Sequence, residues 1–154
     1  MGDNQAQEVL VAAVTEKVNR WLAEFVGGYE VSQNGRVSFR FGSARIFVGV
    51  EPWSDENCLV RVGTMLLMDV PKSAELNEWI AYNTGNYFFG TTYLAEDQDN
   101  NANANVIIDH VLLGDYIDVE ELRSVVGAVA TTADELDTVL KDKFGGDTYH
   151  EDVD

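Results

Sequence analysis

The chain has 154 residues, a single cysteine, and a formal charge of −17 from 27 acidic and 10 basic side chains. A chain of this length buries about two-thirds of its unfolded surface in one core, so neither a disulfide nor a metal is required to hold it together. The charge repels phosphate backbones and anionic lipid, which argues against nucleic acid and membrane surfaces as partners. No apolar run approaches the roughly eighteen residues of a membrane span.

From Gln5 to Val26 the apolar residues Val9, Leu10, Ala13, Val14, Val18, Trp21, Leu22 and Phe25 recur at three- and four-residue steps, which predicts an amphipathic helix closed by Gly27-Gly28. The period then falls to two. Val37, Phe39 and Phe41 alternate with Arg36, Ser38 and Arg40; after Gly42-Ser43, Ala44, Ile46 and Val48 alternate with Arg45, Phe47 and Gly49. A two-residue turn at Gly42-Ser43 sets Phe41 against Ala44, Phe39 against Ile46 and Val37 against Val48. Just upstream, a two-residue Asn34-Gly35 turn would throw Tyr29 and Val31 to the arginine side. A three-residue Gln33–Gly35 loop with a left-handed glycine brings them beside Phe39 and Val37, and is the expected form.

Cys58 to Val70 reads as a fourth strand. Pro71, Lys72 and Ser73 open a second helix that carries Leu76, Trp79, Ile80 and Asn83 on one face and ends near Gly85-Asn86. Phe88 to Ala95 and Asn105 to Leu113 form a last hairpin. Asp118 caps a third helix, with Glu121 three places on as in a capping box; Leu122, Val125, Val126, Val129, Ala133, Leu136, Leu140 and Phe144 are its buried stripe, and Gly145-Gly146 stops it. The order α-β-β-β-β-α-β-β-α predicts one α+β domain over residues 1–146. It has a single antiparallel sheet of five to six strands with three helices, followed by an acidic mobile tail over 147–154.

The stretch EDQDNNANANV, Glu96 to Val106, places Asp97, Asp99 and Asn101 at the spacing with which a helix-loop-helix calcium site begins. The glycine and the bidentate glutamate that such a loop needs are replaced by Ala102 and Ile108, and the flanks are strand-like, so a polar hairpin tip is expected. Cys58 opens a strand whose even positions are apolar and reads as core. His110, in a strand, and His150, in the tail, make neither a metal cluster nor an acid–base pair. No glycine spacing matches a phosphate loop. No cofactor, no metal and no catalytic residue is predicted, and the chain reads as a non-enzyme; a carboxylate pair in a cleft is the one enzymatic arrangement left open. With no basic region followed by an apolar run at the N-terminus, a cytoplasmic protein is expected.

The opening helix, the meander VSQNGRVSFRFGSARIFVGV, the Asn83-Thr84-Gly85-Asn86 ending into an aromatic strand, and the final helix entered through DYIDVEEL together resemble the YbjN family, grouped with the type III secretion chaperone-like fold. The resemblance runs from about residue 5 to 146. It implies a compact α/β domain of a kind that commonly dimerises; secretion chaperones of this shape bind extended segments of other proteins, YbjN-type members are mostly regulators, and the resemblance carries no catalytic signature.

On these registers Arg36, Arg40, Arg45 and Arg61 share one sheet face with Phe47, so that four of the six arginines lie on one surface of an acidic protein. Guanidinium forks bind carboxylates and stack on aromatic rings, so the face suits an acidic segment, a partner's or the tail's own. Met65, Leu66, Leu67 and Met68 are consecutive, and Val106 to Leu113 is apolar on both faces, which calls for cover by a helix, a second copy or a peptide. The leading expectation is a protein-binding module, chaperone-like or regulatory, acting as a homodimer and binding an unidentified protein or peptide through Arg36, Arg40, Arg45, Phe47, Arg61, Met65 and Leu67. The alternative is a ligand-responsive regulator that holds a small anion on the arginine face.

Overall fold

The computed structural model describes residues 2–149. Its elements run α1 (Gly2–Phe25), β1 (Glu30–Val31), β2 (Val37–Phe41), β3 (Ala44–Pro52), β4 (Cys58–Pro71), α2 (Ala74–Asn83), β5 (Thr91–Glu96), β6 (Asn103–Leu113) and α3 (Val119–Phe144). The six strands form one antiparallel sheet in the order β1-β2-β3-β4-β6-β5, an α+β architecture with the expected element order. No described helix is long and apolar enough to cross a membrane.

Local chemistry sets the element ends. Ser73 caps α2 by accepting from the Leu76 N–H, and Asp118 caps α3 by accepting from the Glu121 N–H at 2.8 Å. The β2–β3 register pairs Val37 with Val48, Phe39 with Ile46 and Phe41 with Ala44, as the turn length requires. Val31 pairs with Val37, and Gly35 has φ 81°, so the upstream loop takes the three-residue, left-handed form. Val31 is nevertheless exposed, because β1 is a two-residue edge strand reaching past the helices.

One face of the sheet supplies Val37, Ile46, Val48, Val60, Val62 and Ile108 to the core, and α1 and α3 close over it with Val14, Val18, Leu22, Leu122, Val129 and Leu140. Val9, expected in the buried stripe of α1, is exposed. At about 100° per residue it lies roughly 140–180° round the helix from Val14, Val18 and Leu22, the residues that α1 buries. The β2–β3 turn is fastened to α3. Ser43 N–H donates to Asp134 Oδ1 at 2.6 Å, and the Ser43 hydroxyl lies 2.9 Å from that oxygen and 2.7 and 2.8 Å from the two oxygens of Asp137, which is buried.

The structure departs from the sequence reading in two further places. The last hairpin begins at Thr91 rather than Phe88: Gly90 has φ 114° and donates its N–H to His110 Nδ1, which turns the chain before the strand starts and leaves Phe88 98% exposed. At the other end, Asp147, expected to open a mobile tail, forms a bridge with Met68, each N–H donating to the other's carbonyl at 2.9 and 2.8 Å. His150 to Asp154 lie outside the described residues.

Candidate functional site: the open sheet face

Because side chains alternate along a strand, the residues between the core positions of β2, β3, β4 and β6 point away from α1 and α3. They form a surface of half-buried and exposed side chains: Phe47 on β3, Leu59, Arg61 and Met65 on β4, and Ile107, Val111 and Leu113 on β6. The register places them in rows. Ser38, Phe47, Gly63, Asp109 and Thr91 run across the sheet in one row, and Met65, Ile107 and Tyr93 lie together in the next.

The arginines expected here are present, and each is engaged in its own way. Arg61 Nη1 donates to Asp109 Oδ2 at 2.7 Å and Nη2 to Glu51 Oε1 at 2.6 Å, and the Tyr93 hydroxyl donates to the same Asp109 oxygen at 2.8 Å. The hydrogen bond from Arg61 holds the Glu51 carboxyl below its ordinary range, and that bond together with the one to Asp109 holds the Arg61 guanidinium protonated more firmly than usual. Burial, then the hydrogen bond to Asp109, pushes the Tyr93 phenol up to about 12. Arg45 pairs with Glu30 and donates to Ser38 Oγ at 3.1 Å. Arg36 stacks its guanidinium 4.6 Å from the centre of the Phe47 ring. Arg40 stands opposite Arg45 across the strand pair and lines a cleft of about 320 Å³ with Gly28, Tyr29 and Glu30. At Arg45 and Arg61 a single small anion would have to displace Glu30, Glu51 and Asp109 with no further contacts to offset the loss, so the anion-holding alternative is not supported.

Met65 lies on the open face, half-buried beside Ile107. Leu67 does not: it is 0% exposed. Breaks in the β4–β6 register between Met65 and Leu67 and between Leu67 and Val70 take two successive leucines, Leu66 and Leu67, into the core, which a regular strand could not do. Leu67 therefore leaves the candidate surface.

Three features escaped the sequence reading. The first is the carboxylate set Glu51 and Asp109 that disciplines Arg61. Gly63 was the available signal, since a glycine inside an apolar strand marks a close approach, and a Cβ there would stand 2.5 Å from the Asp109 Cβ. The second is a groove. The β2 pairing of β3 ends at Val37 and Val48, while β3 continues to Pro52 on β4 alone. Along that stretch two clefts of about 560 and 270 Å³ meet at Thr15, Asn34 and Gly35, and the smaller opens onto Arg36, Glu51 and Arg61. The third is the seat of the tail's first residues, which the sequence reading named only as one acidic segment the arginine face suits: the Tyr149 ring meets the Phe47 ring edge-on, 5.4 Å between centres.

A surface of this kind, apolar rows with arginine forks beside a strand edge that no other described strand pairs on one side, suits an extended polypeptide, whose backbone can hydrogen-bond to the edge while alternate side chains meet the face. The described residues hold no grouping of three or more histidine, cysteine or carboxylate side chains that could cage a metal ion.

Comparison with known proteins bears on the same point. Among solved structures, that of YbjN from E. coli superposes with a TM-score of 0.54 at 11% identity over 80% of this chain and 91% of that one. An uncharacterized protein from Methanothermobacter thermautotrophicus superposes with a TM-score of 0.52 at 14% identity over 86% and 99%. Identities this low establish the fold alone. No curated protein matches the chain in sequence. The model of the T3SS (YopN, CesT) and YbjN peptide-binding chaperone 1 family, TY-Chap1, matches residues 8–152, nearly the whole length, and the chain is a member of that family.

Proposed function

We propose that the protein is a non-enzymatic peptide-binding module, chaperone-like in action, that holds an extended segment of a partner protein against its open sheet face. The observation that supports this best is the one-sided sheet. Both long helices lie on one face, and the other keeps Phe47, Met65, Ile107, Val111 and Leu113 within reach of solvent among four arginines. Membership in a peptide-binding chaperone family points the same way. The complementary segment alternates apolar and acidic side chains, the acids answering Arg36 and Arg61 and the apolar residues resting on Phe47 and Met65.

The test is a fluorescently labelled peptide of about ten residues, alternating valine and glutamate, which spans roughly 33 Å when extended. Anisotropy gives the affinity, and amide shifts in NMR give the place. Binding perturbs Phe47, Arg61, Met65 and Ile107, and Phe47→Ala weakens it about tenfold, as loss of an aromatic anchor does. Perturbations confined to the outer surfaces of α1 and α3 would defeat the reading. The same proposal includes self-association through the apolar end of this face, Val111 and Leu113, whose exposure supports it. Light scattering at micromolar concentration that returns only the monomer mass removes the dimer.

A further inference from the structure

Gly127 lies inside α3, exposed and in ordinary helical backbone, and a Cβ added there would meet nothing within 4 Å. Neither backbone geometry nor packing requires a glycine at that place. Inside a helix glycine lowers stability relative to alanine, so the missing side chain calls for another reason. Two clefts meet at this residue. One, of about 550 Å³, runs between the end of α1 and α3 and is lined by Phe25, Val26, Phe41 and Ala130 with Arg40 and Arg123. The other, of about 470 Å³, lies between α3 and the turn before β5, beside Phe88, Phe89, Ala128 and Thr131. Gly127 lines both, and a side chain there would rise between them. The two form one trough across the solvent side of α3. Its charge is unlike that of the rest of the molecule. In a chain with 27 acidic residues none lines either cleft, and residues 81–95 and 124–133, which supply every lining residue of the second cleft, hold no charged side chain. At the first cleft Arg123 stacks its guanidinium 5.4 Å from the centre of the Phe25 ring; Glu120, 3.8 Å from Arg123, is exposed and lies outside the lining.

We propose that this trough binds a free alkyl carboxylate, a fatty-acid-like molecule whose chain crosses α3 over Gly127 from Phe25 and Phe41 to Phe88 and Phe89, and whose carboxylate meets Arg123, with Arg40 at the same end. The site is separate from the open sheet face, and the proposal stands apart from the peptide-binding reading. The floor of the trough selects the chain. The N–H and C=O groups inside an α-helix are spent on one another, so a peptide laid across α3 would shed water from its backbone and find no partners in exchange. A hydrocarbon chain has no such bonds to lose and gains from burial against rings and alanine. Each cleft is within the size range of small-molecule sites. Charge selects the head group. A chain of formal charge −17 repels a carboxylate over most of its surface, and the cleft at Phe25, with two arginines and no carboxylate in its lining, reverses that locally.

The probe is dodecanoate, titrated into the full-length chain below the concentration at which it forms micelles and followed by amide shifts in NMR. The expected shifts fall on Phe25, Phe41, Phe88, Arg123 and Gly127. No binding, or shifts confined to Phe47, Met65 and Ile107 on the open face, overturns the proposal and leaves the peptide-binding reading as it was. Gly127→Leu fills the crossing point and weakens dodecanoate about tenfold, as overfilling a contact does. Its denaturation midpoint is unchanged or higher, because leucine favours the helix and nothing stands within 4 Å of the new Cβ, and this separates lost binding from lost folding. Unchanged affinity in that variant overturns the path over α3. Arg123→Gln also weakens dodecanoate about tenfold, the loss of one charge-assisted hydrogen bond. Equal affinity in Arg123→Gln and the natural chain overturns the placing of the carboxylate.

Discussion

The two faces of the sheet are made from alternate residues of the same strands, and they have been put to opposite uses. On the covered face Val37, Ile46, Val48, Val60 and Val62 contribute aliphatic surface alone, and α1 and α3 seal it from water. On the open face apolar residues sit beside charges that answer one another: Arg61 lies between Glu51 and Asp109, Arg45 meets Glu30, and Arg36 lies on Phe47. An open apolar sheet face invites indiscriminate association, and interleaved charges limit that while leaving the apolar rows available to a segment that can replace the internal partners. Stability therefore belongs to one face and recognition to the other, and substitutions should separate them.

The largest effect is expected on the covered side. Leu122→Ala removes a wholly buried side chain from the α3 stripe and should cost about 3 kcal/mol of unfolding free energy, read as a fall in the denaturation midpoint at unchanged slope. Leu113→Ala, at a site 46% exposed on the open face, should cost less than about 0.5 kcal/mol. Equal losses at the two sites would mean that the open face is covered in solution.

The next effect concerns the fastening between the β2–β3 turn and α3. Ser43→Ala leaves the buried Asp137 carboxylate, 2% exposed, without the hydroxyl 2.7 Å away, a loss of about 1–3 kcal/mol. The pH dependence should change with it. The Ser43 N–H, and after it the hydroxyl, hold the Asp134 carboxyl below its ordinary range. A carboxyl whose folded pKa is depressed contributes stability above its ordinary pKa and loses that contribution as pH falls through the folded one. The variant keeps the N–H and loses the hydroxyl, so its acid-side decline should be shallower than that of the natural chain. An unchanged decline would show that the hydroxyl is not the lock.

How much of this was legible in the sequence depended on whether a feature is periodic. The Val37–Val48 and Phe39–Ile46 pairs and the three-residue Gln33–Gly35 loop follow from alternation and a glycine, because slipping by one residue would turn a whole strand inside out. The capping of α3 by Asp118 is likewise local. Leu67 was misplaced because a bulge breaks the alternation from which its direction was read, and no residue type announces that bulge. The meeting of Glu51, Arg61 and Asp109 joins three strands, and a period along one strand says nothing of the charge two strands away. The path of Asp147 to Tyr149 was invisible for a related reason: an acidic stretch after two glycines has a mobile tail's composition, and only the irregular part of β4 beside Met68 gives it a place to pair.

The smallest effect is a test of the open face's own order. The Tyr93 phenol, pushed up to about 12 by burial and by the Asp109 carboxylate it donates to, is an acid whose neutral form the folded state prefers. Its folded pKa lies above the ordinary value of 10.0. The stability it contributes is therefore whole below that value and drains away as pH rises toward the folded one. Tyr93→Phe has no such proton to lose. The stability difference between the natural chain and Tyr93→Phe, taken from denaturant curves at several pH values, should be constant below pH 10 and shrink steadily between 10 and 12. Adding Asp109→Asn to both should lessen that change and leave the part due to burial, since the carboxylate opposing phenolate formation is then gone. A difference that stays constant across the range would mean that Tyr93, Asp109 and Arg61 are not assembled in solution, and the open face would then be a loose collection of side chains with no prearranged row for a partner to read.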